Sequence, residues 1–374
     1  MTEEATSPGA YSTLFDDPIV QLPSRSPLWL VTQRPLINAF VSYLNTQRQS
    51  LESSPGKLHR FDFDRAGLEA VRSDFAAMIQ EGEARLHRLG GLVANALFSE
   101  HFDLKSVVVG EVPSSKLRFE YAQPISPKAL YAETDLALGN RILSQMQFGS
   151  PETSETATLI ANFVEYQPTA LNRFAVHKMS TRIKAEEELW NKVCDELFSL
   201  DTLVAKDKEL RNLSRYVKDV FGLKIVVGKP EDAQDLQSTL ADLRFSATDL
   251  LRVGAPTDSS CEALGFVEVK NYLSGSHSKQ SGWEALKSVV KWWDGLFEIQ
   301  IQPLSNYFRE REKLTQESHS AFKASRESIR NRLAQTYPLM GYYRDLLRWL
   351  FVDPEDTPPH HPDVEIHLDG KRYA

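Results

Sequence analysis

From residue 28 onward the chain alternates between apolar positions spaced as on a helix and apolar positions spaced as on a strand. Leu28, Leu30, Val31, Leu36, Phe40, Val41 and Leu44 predict an amphipathic helix after Pro35, followed by a turn-rich connection over residues 51–65. Leu68, Val71, Phe75, Met78, Leu86, Leu89, Val93 and Leu97 predict helices from Asp64 to Ser99, with Gly90-Gly91 as a candidate break. The period then shortens. Residues 106–112 and 116–123 read as two strands, and residues 132–147 return to helical spacing. Residues 149–154 are the best linker in the first half, and residues 155–174 read as a helix up to Pro168.

The second half repeats strand and helix more regularly. Residues 176–184 predict a strand ending in alternating cations, and residues 185–200 a helix with Leu189, Val193 and Leu197 on one stripe. Residues 209–222 predict a second helix capped by Gly222, residues 223–230 a buried strand, and residues 231–245 another helix. Residues 303–335 read as one or two charged helices, and residues 341–351 as a short apolar helix before a Pro-rich polar tail.

Between these lies the stretch from Gly265 to Gln302. A short strand, Phe266-Val267-Glu268-Val269, leads into a Ser- and Gly-rich loop with Lys270, Tyr272, His277 and Lys279 nearby. Two β-branched and aromatic runs then flank Asp294-Gly295, the signature of a hairpin whose type I′ turn needs positive φ at both central residues. In the second run Glu298 and Gln300 share one face, with Phe297, Ile299 and Ile301 behind them. An acid and an amide beside cations and aromatics suit a phosphate and metal site. Taken alone, an exposed polar sheet face is the plainer reading.

Composition narrows the classes. The 374 residues are 41% hydrophobic and 25% charged, as expected for a globular chain of two domains or one with a large extension. A net charge of -8 argues against a chain-wide footprint for nucleic acid. Two cysteines, Cys194 and Cys261, make neither a disulfide framework nor a zinc cluster. The acidic N-terminus is unlike a signal peptide, and no apolar run reaches the roughly 18 to 20 residues of a membrane span, so a cytoplasmic protein is expected. His360, His361 and His367 sit in the Pro-rich tail and are read as exposed rather than metal-binding; Ser259-Ser260-Cys261 has no His at useful spacing.

Taken in order, the second-half segments resemble the synthetase domain of the RelA/SpoT family, which makes the alarmones ppGpp and pppGpp. Thr181-Arg182-Ile183-Lys184 with Leu189-Trp190-Asn191-Lys192 resembles the family's Arg-x-Lys strand and Ser-Ile-Trp-Glu-Lys helix. Asp219-Val220-Phe221-Gly222-Leu223-Lys224 resembles its Asp-x-x-Gly-x-Arg, and Lys270-Asn271-Tyr272 its Lys-Asp-Tyr. Gly282-Trp283-Glu284-Ala285-Leu286-Lys287 stands where the family has Gly-Tyr-x-Ser-x-His, and Glu298-Ile299-Gln300-Ile301-Gln302 resembles its Glu-x-Gln-Ile-Arg. Residues 315–319 are similar to its Ala-Glu-His region.

The resemblance implies an α/β (α+β) domain over residues 165–335 with a mixed five-stranded sheet flanked by helices. Its strands would hold Arg182, Lys224, Val267, Val289 and Ile299. A mostly helical N-terminal domain with a small sheet would span residues 1–150, and a C-terminal helix and tail residues 336–374. It implies transfer of a pyrophosphoryl group from ATP to the 3′-hydroxyl of a guanine or other nucleotide. Asp219 and Glu298 would hold Mg2+, with Glu298 also taking the hydroxyl proton. Arg182, Lys184 and Lys224 would contact the donor phosphates. Lys270, Tyr272, Lys287 and Gln300 would lie beside the nucleotides, and Trp283 would stack on the acceptor base.

The departures are Trp283 for Tyr, Lys287 for His, Lys224 for Arg and Gln302-Pro303 for Arg-Thr, with a slightly longer Lys270 loop. Lys lacks the bidentate fork of Arg, so phosphate geometry would loosen and base choice could differ. These departures leave two alternatives open: a silent nucleotide-binding or interaction module of the same fold, and a toxin-like relative acting on the tRNA 3′ end. Self-association is also left open. The family's hydrolase His-Asp dipeptide does not occur in the chain, so alarmone hydrolysis is not expected.

Overall fold

A computed structural model describes residues 34–99, 101–149, 154–183, 190, 193–194, 221–273, 283–314, 337–352 and 357–373. In chain order it has α1 (Pro35–Ser53), β1 (His59–Phe63), α2 (Arg65–Phe98), β2 (Phe102–Glu111), β3 (Arg118–Pro124), α3 (Asp135–Ser144) and β4 (Thr158–Pro168). Then come β5 (Lys178–Ile183), β6 (Phe221–Val227), α4 (Pro230–Asp242), α5 (Ala247–Val253), β7 (Gly265–Asn271), β8 (Leu286–Trp292), β9 (Gly295–Pro303) and α6 (Leu304–Leu314). The last are α7 (Pro338–Phe351), β10 (Val364–Leu368) and β11 (Lys371–Tyr373). The chain falls into two compact units, one of Met1–Ile79, Lys184–Lys218 and Glu317–Ala374, the other of Gln80–Ile183 and Asp219–Gln316.

The first unit has an aromatic core. The Trp190 ring stacks on Phe351 at 4.1 Å and on Phe75 at 4.9 Å, with Phe40 edge-on at 6.2 Å. Tyr343 on α7 donates its hydroxyl to the Leu44 carbonyl of α1 at 3.0 Å. Residues 51–65 are not only a turn: β1 pairs in parallel with β10, burying Phe61 and Phe63. The polar tail also proves ordered, since β10 and β11 form a hairpin. Its turn is Asp369-Gly370, with φ of 51° and 74°, the double positive φ that sequence reasoning assigned to Asp294-Gly295. His361 lies 5.3 Å from the Tyr342 ring.

The second unit is built on an eight-stranded sheet in the order β3-β2-β4-β5-β6-β9-β8-β7. The five expected strands are there side by side as β5-β6-β9-β8-β7, but β4, β2 and β3 extend the sheet to eight. β6 and β9 are parallel; the other neighbours are antiparallel. The sheet therefore takes strands from both sides of residue 150, and the expected linker lies between α3 and β4 of this same unit.

Three expectations are corrected here. Residues 158–168 form a strand, not a helix, with Val164 and Tyr166 buried. A short apolar run suits either state, and pairing with β2 and β5 decides it. Gly222 lies inside β6 rather than capping a helix; a Cβ there would come within 3.0 Å of the Glu298 carbonyl oxygen. α2 runs unbroken through Gly90-Gly91. A Cβ on Gly90 would meet the Tyr166 hydroxyl at 2.9 Å, so this glycine serves close packing rather than a break.

The β8–β9 hairpin forms as expected, but Trp292 pairs with Gly295, so its two-residue turn is Trp293-Asp294. Positive φ falls on Trp293, at 56°. Arg85 of α2 holds this turn, with its guanidinium 5.5 Å from the Trp293 ring and 3.1 Å from the Asp294 carboxylate. One face of the central strands carries Leu223, Ile225, Ile299 and Ile301, all buried, and α4 packs against β6, β8 and β9.

Candidate functional site

The opposite face of the same strands is polar, and strand register decides what meets there. Arg182, Gly222, Glu298 and Val289 lie on one line across β5, β6, β9 and β8. Ser180, Lys224, Gln300, Lys287 and Lys270 lie on the next line, which reaches β7. Residues in register on neighbouring strands share a face. Arg182, Lys224, Lys270, Lys287, Glu298 and Gln300 therefore all belong to one surface of the sheet. Asp219 and Lys184 lie outside the described residues.

This face is not the open polar surface that the alternation alone suggests. Glu298, Gln300 and Gln302 are 5%, 7% and 0% exposed. Burial of such groups requires partners, and they have them. Lys287 forms an ion pair with Glu298, its diagonal neighbour across the β8–β9 pair. Gln300 donates to Gln302 at 3.1 Å. α6, which starts as β9 ends, turns back over the Gln302 end: Asn306 donates to the Gln302 side-chain oxygen at 3.0 Å.

Glu310, one turn further along α6, is the centre of this network. Its carboxylate accepts from the Lys224 ammonium at 2.7 Å, from Trp283 Nε1 at 2.6 Å and from the Gln302 side chain at 3.3 Å. Burial pushes its carboxyl upward, but the Lys224 charge and these three donors outweigh burial and hold it below the ordinary carboxylate value. Sequence reasoning missed Glu310, Asn306 and Gln302 as members of the site. A signal was available: Asn306 and Glu310 are spaced i, i+4 and share one helix face directly after a polar strand.

A depressed carboxyl stabilises the fold in full above its unfolded value and loses that contribution as the pH falls through the lower folded value. Stability of the second unit is therefore expected to fall with acid in a window below pH 4.5, and Glu310→Gln is expected to flatten that part of the profile. Denaturant titrations at stepped pH check it; a Glu310→Gln profile superimposable on that of the natural protein would show that the pair adds nothing.

The remaining candidates are placed as follows. Trp283 is half-buried, fixed by its bond to Glu310, with the Tyr272 ring edge-on at 5.5 Å. Lys270 is half-buried on β7 and pairs along its own strand with Glu268 at 2.9 Å. Arg182 is exposed. Lys178, two residues before Ser180, pairs with Glu165 at 2.6 Å and lies 4.9 Å from the Tyr307 ring of α6.

No protein-family model matches the chain, and no curated protein matches it. Among solved structures, it is similar to the small alarmone synthetase 1 from Bacillus subtilis, at 18% identity over 48% of this chain and 77% of that one, with a TM-score of 0.25. The same enzyme bound to its product pppGpp matches at 19% identity over 46% and 76%, TM-score 0.25. The protein smu.1046c from Streptococcus mutans UA159 matches at 20% identity over 46% and 77%, TM-score 0.23. No helix of the described residues is long and apolar enough to cross a membrane.

Proposed function

We propose that the second unit is a nucleotide pyrophosphokinase of RelA/SpoT synthetase type, acting on ATP and a nucleotide acceptor. The observation that carries this reading is the register that lines up Arg182, Lys224, Lys287, Glu298 and Gln300 on one polar sheet face.

In this reading Arg182 and Lys224 hold the donor polyphosphate. The acceptor 3′-oxygen attacks the β-phosphorus, the bond from that phosphorus to the α–β bridging oxygen breaks, and AMP leaves. Glu298 takes the hydroxyl proton. A buried carboxylate is a hard-oxygen ligand of the kind that suits Mg2+, which keeps several waters of its own, and Lys287 would give up its pairing with Glu298 to the ion. Bound there, the ion would neutralise polyphosphate charge, with Asp219 proposed as the second acid.

Two of the site's cations are already matched by carboxylates, Lys287 by Glu298 and Lys224 by Glu310. A magnesium nucleotide offers both signs of charge, so binding exchanges partners rather than stranding charges. Nucleotide affinity is therefore expected to depend on Mg2+. Glu310→Gln keeps an acceptor for Trp283 while freeing Lys224 from a carboxylate. It should tighten ATP binding by about fivefold, equivalent to about 1 kcal/mol. Calorimetry that finds weaker or equal binding would remove Glu310 from this role.

Trp283→Ala should weaken the acceptor by about 1–3 kcal/mol, the worth of stacking on a base, while leaving ATP affinity unchanged. Initial rates at varied acceptor check it; an unchanged acceptor KM would assign Trp283 to packing alone. The deciding assay incubates the full chain with labelled ATP, Mg2+ and, separately, guanine nucleotides, other nucleotides and tRNA, and resolves the products.

The second reading is a binding module without transfer. The two internal ion pairs favour it, since they satisfy the site with no ligand. Nucleotide binding without product from any acceptor would establish it.

A further inference from the structure

A second polar cluster lies elsewhere in the second unit and plays no part in the reading above. Glu83 and His87 are one turn apart on α2, and Asp135 is the first residue of α3. They are 5%, 1% and 5% exposed. His87 Nε2 is 2.9 Å from Asp135 Oδ1 and 3.7 Å from Glu83 Oε1, and one ligand atom from each residue lies within 4.8 Å of the others. The surroundings fix all three. Glu83 accepts from the Asp135 backbone N–H, Asn162 donates to the Asp135 carbonyl at 2.6 Å, and the Tyr166 hydroxyl donates to the His87 carbonyl at 3.3 Å.

A proton or a cation has to complete the charge balance inside this cluster. Two carboxylates face one imidazole, and no Lys or Arg of the described residues pairs with either acid. Even with the imidazole protonated, two ionised acids leave one buried negative charge, which is costly. Asp135 Oδ2 has no hydrogen-bond partner although its sister oxygen lies in the cluster, and His87 Nδ1 has none either.

We propose that Glu83, His87 and Asp135 form a binding site for one divalent transition-metal ion. One imidazole nitrogen and two carboxylates suit Zn2+ best, whose His and carboxylate ligands sit at roughly 2.0–2.2 Å. A tetrahedral set at that radius has ligand atoms about 3.4 Å apart. The observed 2.9 and 3.7 Å straddle that value. Asp135 Oδ2 supplies a further donor that nothing else claims. The ion would join the middle of α2 to the start of α3. This proposal does not rest on the nucleotide reading.

The test uses the full chain stripped with a chelator and titrated with Co2+, then with Zn2+. The expected result is visible d–d absorption that saturates at one equivalent, loss of that signal on adding Zn2+, and a Tm that rises with Zn2+. His87→Gln and Asp135→Asn should each weaken Co2+ uptake at least tenfold, whereas a His360→Ala/His361→Ala variant should bind as the natural protein does. Absence of absorption and of any Zn2+-dependent Tm shift in the natural chain overturns the proposal and leaves a hydrogen-bonded charge cluster. So does His87→Gln uptake at natural affinity, or loss of binding in the tail variant. Should His87→Gln or Asp135→Asn fail to fold, the near-isosteric Glu83→Gln and the titration of the natural chain still decide it.

Discussion

Glu298→Gln is expected to abolish pyrophosphoryl transfer while leaving the second unit folded. The side chain keeps its length and its capacity to hydrogen bond, so β9 stays paired to β6 and β8. What disappears is the charge. Loss of a general base costs about 10²–10⁴ in rate, and loss of a metal-holding carboxylate adds to that. Product formation should therefore fall by about 10³ or more. The variant also leaves Lys287 facing a neutral amide. Lys287 retains one-fifth of its side-chain exposure, so its cost is lower than that of a fully buried orphan charge. A modest drop in Tm is expected, and adding Lys287→Met should recover it without recovering transfer. That pattern separates chemistry from folding. Full activity in Glu298→Gln would remove Glu298 from the chemistry, whereas nucleotide binding without transfer in the natural protein would favour the binding module.

Trp190→Ala should be the most damaging single change to the first unit. The indole is 2% exposed and sandwiched between Phe75 and Phe351, with Phe40 against its edge. Truncating such a ring removes its burial and leaves a cavity that stacked neighbours cannot readily fill, at about 3–5 kcal/mol. Urea unfolding followed by circular dichroism should show the unfolding free energy falling by that amount, with Trp190→Phe recovering much of the loss. A shift below about 1 kcal/mol would mean that the three aromatic rings close over the gap. In sequence Trp190 falls in a segment that resembles a family pattern. Its place in the fold is that of a core aromatic.

What the sequence determined by itself was local. The alternation over Leu296–Gln302 set β9 and put Glu298 and Gln300 on one face, because strand side chains alternate with period two. Pro35 and the apolar spacing after it set α1, and Thr134 capped α3 by accepting from the Ala137 N–H. The order of cations and acids needed no tertiary information either. Only the tertiary structure decided the rest. Residues 158–168 carry an ambiguous apolar pattern, and they became a strand because β2 and β5 offered edges on both sides. Two Asp-Gly pairs looked alike locally, yet only Asp369-Gly370 adopts the double positive φ. Strand pairing at Trp292 and Gly295, with Arg85 on the turn, shifts the other by one residue. The central place of Glu310 follows from α6 folding back over the Gln302 end of β9. The gathering of Glu83, His87 and Asp135 spans 52 residues of chain. Contacts of that kind depend on which surfaces meet, and no periodicity within a single segment encodes them.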